Sequence, residues 1–442
     1  MVKKLGDWRN DYQRKLISAE DAASLVKSGD RVVFPIGREA FACGLALAAR
    51  KEELKGVEVL VSTAGYDFGW YDPGWQDSFL VEVGYVTSIV EEAVDAKRVQ
   101  VRVNALLTDP SAGEDRPPDV VFVEVSPPDE RGFCSFGASI WDKRRRIDQA
   151  KIAIAEVNQN LIRTFGDNYV HVSQIDYVVE HISSGGRPAA GSLAGRERAK
   201  PQPHIKPIAE NISQVIGDGD TLQIGVGRIN ELLVDSGAFA GKQHLGYHSE
   251  ATIPGIVRLV RDGIMDGALK TINPGKVVVT SVGGSEREDM MWVNNNPLFW
   301  LMDVNYVQDP RICGAHDHFV SINQALAMDL SGQYTAQTVA GRRVAGAGGQ
   351  IPFVFGAFLS KGGRAVTVLP STAGDGSVSR IVPRLPEGTT VTMQPGLVDY
   401  VVTEFGIARI RGKTLRQRAE ALIAIAHPAF REELSREAKK LC

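Results

Sequence analysis

Residues 19–38 read AEDAASLVKSGDRVVFPIGR, and residues 209–228 read AENISQVIGDGDTLQIGVGR. Three dipeptides recur at one constant offset of 190 residues: Ala19-Glu20 with Ala209-Glu210, Gly29-Asp30 with Gly219-Asp220, and Gly37-Arg38 with Gly227-Arg228. Apolar positions match as well, Val26 with Ile216 and Val32 with Leu222. Each stretch reads as a short amphipathic helix, a Gly-Asp turn, an apolar strand, a glycine turn and the start of a new helix. Chance supplies one matched dipeptide readily. Three in register, on one pattern, predict a duplicated fold unit.

Working outward, residues 183–207 are rich in Gly, Pro and charge and carry no apolar period, which is linker composition. The expected division is an N-terminal domain over 1–184, a linker over 185–207 and a C-terminal domain over 208–442. Apolar, β-branched runs at 57–63, 120–125, 152–157, 277–282, 366–369 and 400–403 suit strands buried on both faces. Helical patterns alternate with them at 39–54, 229–239, 254–262 and 415–426. Alternating strands and helices predict an open α/β sheet in each half. The crevice of such a sheet lies at the C-terminal ends of its strands.

A net charge of -3 gives no reason to expect nucleic acid or an anionic membrane as partner. Cys43, Cys134, Cys313 and Cys442 form no C-x-x-C pair, so no zinc knuckle or dithiol site is signalled. Few cysteines in a long chain fit a reducing compartment. The opening MVKKLGDWRNDYQRKL is too polar for a signal peptide, and no apolar run is long enough to span a membrane. A cytoplasmic protein is expected.

Several motifs fail on inspection. Gly225-Val226-Gly227 follows a strand, but Asn230 stands where G-x-G-x-x-G needs its third glycine. His316 and His318 flank Asp317, too few ligands for a metal site, and no metal is expected. The basic run Lys143 to Arg146 is expected to be a solvated helix face.

Three segments of the second half carry chemistry. Gln223-Ile-Gly-Val-Gly227 runs from a strand into a glycine turn, where backbone can approach a ligand closely. Gly246-Tyr-His-Ser-Glu250 places a carboxylate before a helical stretch, and Gly346-Ala-Gly-Gly-Gln350 is a turn whose amides are suited to an oxyanion. A carboxylate nucleophile with amide donors is a kit for acyl transfer. Glu250 as a helix N-terminal glutamate, with purely structural glycines, is the competing reading. The residues alone leave both open.

At these residues the chain resembles the 4-hydroxybutyrate CoA-transferase/acetyl-CoA hydrolase family of class I CoA-transferases. In the first half the resemblance rests on Val125-Ser-Pro-Pro-Asp-Glu-Arg-Gly132, Ala150-Lys-Ile-Ala-Ile-Ala-Glu-Val-Asn158 and Arg163-Thr-Phe-Gly-Asp167. In the second it rests on Gly246 to Glu250, Asn273-Pro-Gly-Lys276, Ser321-Ile-Asn-Gln-Ala-Leu326, Gly346 to Gln350, Val402-Thr-Glu-Phe-Gly406 and Arg411-Gly-Lys413. It implies two tandem related open α/β domains of the CoA-transferase (NagB/RpiA-like) fold, and a homodimer or homotetramer. It implies CoA transfer between an acyl-CoA and a free carboxylic acid, with CoA thioester as substrate and no cofactor.

The family's nucleophile falls on Glu250 and its oxyanion donor on the Gly348 backbone, with Gly349 beside it. The CoA-lining loop falls on Gly225, Val226 and Gly227, and Gly346 and Gln350 complete the second turn. Tyr306-Val-Gln-Asp-Pro310 puts Gln308 where the family has the asparagine that supports the glutamate. Gln keeps the amide on an arm one methylene longer. Pro352, Pro395-Gly-Leu397 and Leu161-Ile-Arg-Thr164 also depart from the family's pattern, which predicts an altered acyl pocket.

An acyl-CoA hydrolase on the same scaffold is the nearest alternative, and a non-catalytic CoA-binding regulator a more distant one. The aromatic stretch Tyr66-Asp-Phe-Gly-Trp-Tyr-Asp-Pro-Gly-Trp75 is open to two readings, a satellite core or oligomer contact, or a cover over the acyl end of the site.

Overall fold

The computed structural model describes residues 7–103, 116–181, 200–284, 286–346 and 348–441. Most of the expected linker, 185–199, lies outside them, as do the first six residues. The described residues form two compact units. The first holds those before 198 together with 280–305; the second holds 200–279 and those from 306 onward.

The sheet of the first unit runs Tyr177–Glu180, Ile152–Val157, Val120–Val125, Arg31–Phe34, Val57–Val61, Phe79–Val83, Gln100–Val101, with every neighbouring pair parallel. All six residues of Val120–Val125 are buried, as the continuous apolar run requires of a strand covered on both faces. The sheet of the second unit runs Gly406–Arg409, Tyr400–Thr403, Arg364–Val368, Phe319–Gln324, Thr221–Ile224, Gly246–Ala251 and on to Val277–Ser281. Its edge pair, Tyr400–Thr403 with Gly406–Arg409, is an antiparallel hairpin.

The two orders correspond. In each unit the first strand is central, the next two lie to one side, and the chain then returns to build the other side. Arg31–Phe34 and Thr221–Ile224 are those first strands, at the offset of the sequence repeat. The chain reverses direction across the sheet beside them, so each unit has a crevice at the C-terminal end of its first strand.

Four expectations change. The helix expected over 229–239 is a short 3-10 turn, Asn230–Leu232, followed by turns. Asn230 Nδ2 donates back to the Gly225 carbonyl at 2.8 Å, and Gly237 has a left-handed φ of 83°, so the segment is closed at both ends. The helix expected over 39–54 is confined to Phe41–Ala48. Glu250 lies on the strand Gly246–Ala251, and the helix after it starts only at Ile256, so it is no helix-capping glutamate.

The basic run is not a solvated face. Lys143 and Arg146 are buried in the helix Lys143–Gln149. Lys143 Nζ donates to the Ser139 carbonyl at 2.9 Å, and Arg146 pairs with Asp142 at 2.8 Å. Charge count misled here because each cation has a local acceptor.

Of the two readings of the aromatic stretch, the satellite core holds for its centre. Phe68, Trp70 and Tyr71 are buried in the first unit's core. Trp70 packs against Phe68 at 4.7 Å, Phe34 at 5.6 Å and Phe79 at 6.0 Å between ring centres, leaving it no face for a substrate.

Candidate active site

The strand Gly246–Ala251 and the segment 306–310 build the site in the second unit, and each residue of the two motifs has a discernible job. Gly246 is a glycine because the stem of Lys270 crosses its backbone; a Cβ there would collide with Lys270 Cγ. Tyr247 is buried and its hydroxyl donates to the Ala251 carbonyl at 2.9 Å, bracing the strand's end. His248 Nε2 lies 2.8 Å from the Val307 carbonyl. Ser249 Oγ donates to the Ile224 carbonyl at 3.2 Å, tying the strand to the residue before Gly225.

Glu250 receives Gln308 Nε2 on Oε2 at 2.7 Å. The backbone amide of Gly349 donates to the same carboxylate. A Cβ on Gly349 would strike Glu250 Oε2 and lie 2.6 Å from Gln308 Nε2, so only glycine admits the carboxylate so close. Glu250 is partly exposed while its carboxyl group is closely packed. Burial raises its pKa to about 7, and the two donors, which favour the anion, hold it from rising further.

The segment 306–310 is shaped for this contact. Asn273 Nδ2 donates to the Tyr306 hydroxyl at 2.8 Å. Asp309 caps the helix Pro310–Gly314 by accepting from the Arg311 amide, with Pro310 at its first position. Gln308 therefore leaves a fixed chain and reaches Glu250 despite its extra methylene. The departure at Pro352 is likewise accommodated, since it lies in the first turn of the helix Gln350–Leu359, where no amide is lost.

Of the residues singled out in the sequence, Glu250, Gln308 and Gly349 are brought into contact. Gly348, with φ of 55°, makes the left-handed bend that presents the Gly349 amide. Gln350 points elsewhere: its Nε2 donates to the buried Tyr334 hydroxyl at 2.8 Å, anchoring the turn. Gly346 is half-buried at the turn's start. Gly225, Val226 and Gly227 follow the strand next to that of Glu250. A Cβ on Gly225 would strike Asn323 Oδ1 and one on Gly227 would lie 2.7 Å from Gln324 Oε1, and Val226 is exposed.

Sequence reasoning missed His248, Lys270 and the Asn273–Tyr306 contact. His248, Asn273 and Tyr306 were hinted at only by their place inside quoted motifs, and Lys270 lies outside every one of them. Lys270 is buried and donates to the carbonyls of Tyr247 at 3.0 Å and Lys276 at 2.7 Å; burial lowers its pKa to about 7. His316 lies tilted against His248, at 5.0 Å between ring centres. Among the described residues no group of three or more His, Cys, Asp or Glu side chains is arranged to hold a metal ion.

A carboxylate pinned by two N–H donors at a strand end is suited to attack a carbonyl and to hold the oxyanion that follows. Two family models match this chain: the N-terminal domain of acetyl-CoA hydrolase/transferase over residues 1–184 and its C-terminal domain over 285–438. The chain belongs to the acetyl-CoA hydrolase/transferase family. A 4-hydroxybutyrate coenzyme A transferase of Clostridium kluyveri is 39% identical over 438 residues, covering 98% of this chain and 99% of its own. A succinyl-CoA:cyclohexane-1-carboxylate CoA transferase of Geobacter metallireducens is 35% identical over 440 residues, covering 98% and 97%. The crystal structure of RipA from Yersinia pestis superposes with a TM-score of 0.89 at 31% identity, covering 99% of each chain. Membership of the acetyl-CoA hydrolase/transferase family gives the two-unit α/β architecture its context. Among the described residues no helix is long and apolar enough to cross a membrane.

Proposed function

We propose that Glu250 is the nucleophile through which this CoA-transferase moves CoA from an acyl-CoA to a free carboxylic acid. The observation that carries the reading is the carboxylate of Glu250 held between the Gln308 amide and the Gly349 backbone amide. A Glu250 oxygen attacks the thioester carbonyl and expels CoA thiolate, leaving a mixed anhydride. The thiolate then attacks the glutamyl carbonyl, forming a glutamyl-CoA thioester and releasing the first acid as its carboxylate. The incoming carboxylate reverses both steps and regenerates Glu250. Attack at the glutamyl carbon puts negative charge on a side-chain oxygen of Glu250, where Gln308 and Gly349 already donate. The Gly348 amide, at the bend, is assigned to the oxyanion of the acyl group.

The turn Gly225-Val226-Gly227 is assigned to the thioester end of CoA, with Gly346 and Gln350 shaping the opposing turn. Support comes from its place at the strand end beside Glu250, where open α/β sheets bind ligands. The finer fold reading is a NagB/RpiA-like unit of the class I type on either side of a linker at 185–207. The corresponding strand orders support it. A cytoplasmic homodimer or homotetramer completes the proposal.

The test is peptide mass mapping after mixing with acyl-CoA. A glutamyl adduct on Glu250, absent in Glu250→Ala, is the expected result; an adduct elsewhere, or near-normal transfer by Glu250→Ala, overturns it. Turnover with and without a carboxylate acceptor separates transfer from hydrolysis.

A further inference from the structure

The reaction uses Glu250, Gln308 and Gly349 but leaves unexplained a buried histidine two residues before the nucleophile. Residues two apart on a strand share a face. His248 and Glu250 therefore leave Gly246–Ala251 on the same side, and they meet consecutive residues of one segment. His248 Nε2 lies 2.8 Å from the Val307 carbonyl oxygen, and Gln308 Nε2 donates to Glu250 at 2.7 Å. We propose that His248 is a positioning residue: its grip on Val307 fixes where the amide of Gln308 meets the nucleophile. This rests on Glu250 being that nucleophile.

The chemistry of the contact defines its state. A carbonyl oxygen only accepts, so Nε2 must carry the proton. The ring is then neutral with a bare Nδ1, which finds no partner among the described residues. A second proton is opposed by burial and by the neighbouring cationic and titratable groups, and only the Val307 carbonyl favours it. The ring is fully buried, Lys270 and His316 face it, and burial followed by these two groups pushes its pKa well below the usual histidine range. The rings of Tyr306 and Phe319 also lie against it, and the Cys313 thiol donates to the same Val307 oxygen at 3.4 Å. His248 therefore keeps one tautomer over the working pH range and exchanges no proton with substrate. Buried, the bond meets no competing water. It matters more here than it would for asparagine, because the longer Gln308 arm has one more rotor to restrain.

The test uses His248→Phe, which keeps a ring and loses the donor, and His248→Gln, which restores a donor. Displacing a catalytic contact by about 1 Å costs on the order of 100-fold, so His248→Phe is expected to lose tens to a hundredfold in kcat with KM for acyl-CoA little changed. Its acidic limb in the pH–rate profile moves up by about half a unit or more, because Gln308 no longer favours the Glu250 anion. His248→Gln recovers most of both. His248→Phe combined with Gln308→Ala is no slower than Gln308→Ala alone, since His248 acts through Gln308. A wild-type limb and kcat in His248→Phe, or additive losses in the double variant, overturn the proposal.

Should His248→Phe not fold, nitrogen NMR of histidine-labelled wild type decides, with the signal assigned through His248→Gln. A non-titrating Nε2–H signal from His248 between pH 5 and 9 is expected; an Nδ1–H tautomer, or titration in that window, overturns the grip. Adduct mapping at Glu250 reports on the nucleophile separately, so the two readings can fail independently.

Discussion

Glu250 has a pKa near 7 because the fold withholds water from it, and that has two measurable results. Attack needs the anion, so kcat/KM for acyl-CoA should fall below about pH 7. Gln308→Ala removes a donor that favours the anion, so its acidic limb should move to higher pH; a limb at the same pH would deny Gln308 that role. The second result concerns stability. Below pH 4.5 the folded and unfolded chains both hold the proton. Between 4.5 and about 7 the unfolded glutamate ionises first, the folded state binds more protons, and stability falls as pH rises. Glu250→Gln escapes this loss. It should be inactive yet more stable than wild type at pH 8, by at most about 3 kcal/mol, with the gain vanishing toward pH 4.5. Urea unfolding at the two pH values checks it. None of this was legible at the residue itself. Glu250 stood out only by the company of glycine turns, and Gln308, 58 residues away, entered through family resemblance alone.

The strands were the easiest elements to read. Val120–Val125, Ile152–Val157 and Tyr400–Thr403 coincide with the expected runs, because strands buried on both faces must be apolar throughout. Phe79–Val83 was missed: Leu80 is exposed and Glu82 partly so, and an alternating five-residue stretch is weak evidence by itself. Helices were overextended wherever turns follow them, as after Ala48 and Ile229. The glycine turn before Gln350–Leu359 supports a sharper expectation. Gly349→Ala drives a methyl group into Glu250 and Gln308, so transfer should drop by about 100-fold or more while the helix and its core stay intact. Activity near wild type would mean that the carboxylate does not sit against this turn. In Gly246→Ala the new Cβ meets the Lys270 stem instead, and the expected effect is a loss of about 1–3 kcal/mol in unfolding free energy. A neutral result would place the Lys270 stem elsewhere.

Two units share a strand order, but their chemistry differs. Phe34 pairs with Val61 in the first unit. Carried two residues on from Leu222–Tyr247, the second unit's register sets Ile224 beside Ser249. Ser62 thus stands where the second unit has Glu250. The first unit does own a buried carboxyl of similar acidity: Glu39, raised by burial to about 7, accepts from the Gly65 amide at 2.6 Å. It is almost fully enclosed, whereas Glu250 is partly open. One glutamyl adduct per chain is therefore expected on saturation with acyl-CoA, on Glu250 and not Glu39; two adducts per chain would give both units a nucleophile. The duplication itself was legible from three dipeptides, because a Gly-Asp turn and a glycine after a strand are hard to replace. Which copy reacts was not, since that depends on a single side chain at a strand end.

The crossing of the Lys270 stem over Gly246 also constrains how this family's sequences can drift. A side chain at 246 is blocked while a long one occupies 270, and shortening 270 alone strips the Tyr247 and Lys276 carbonyls of their shared donor. Each single step is costly. The two positions should therefore change together or not at all, and a lineage with another residue at 246 should already carry a short one at 270.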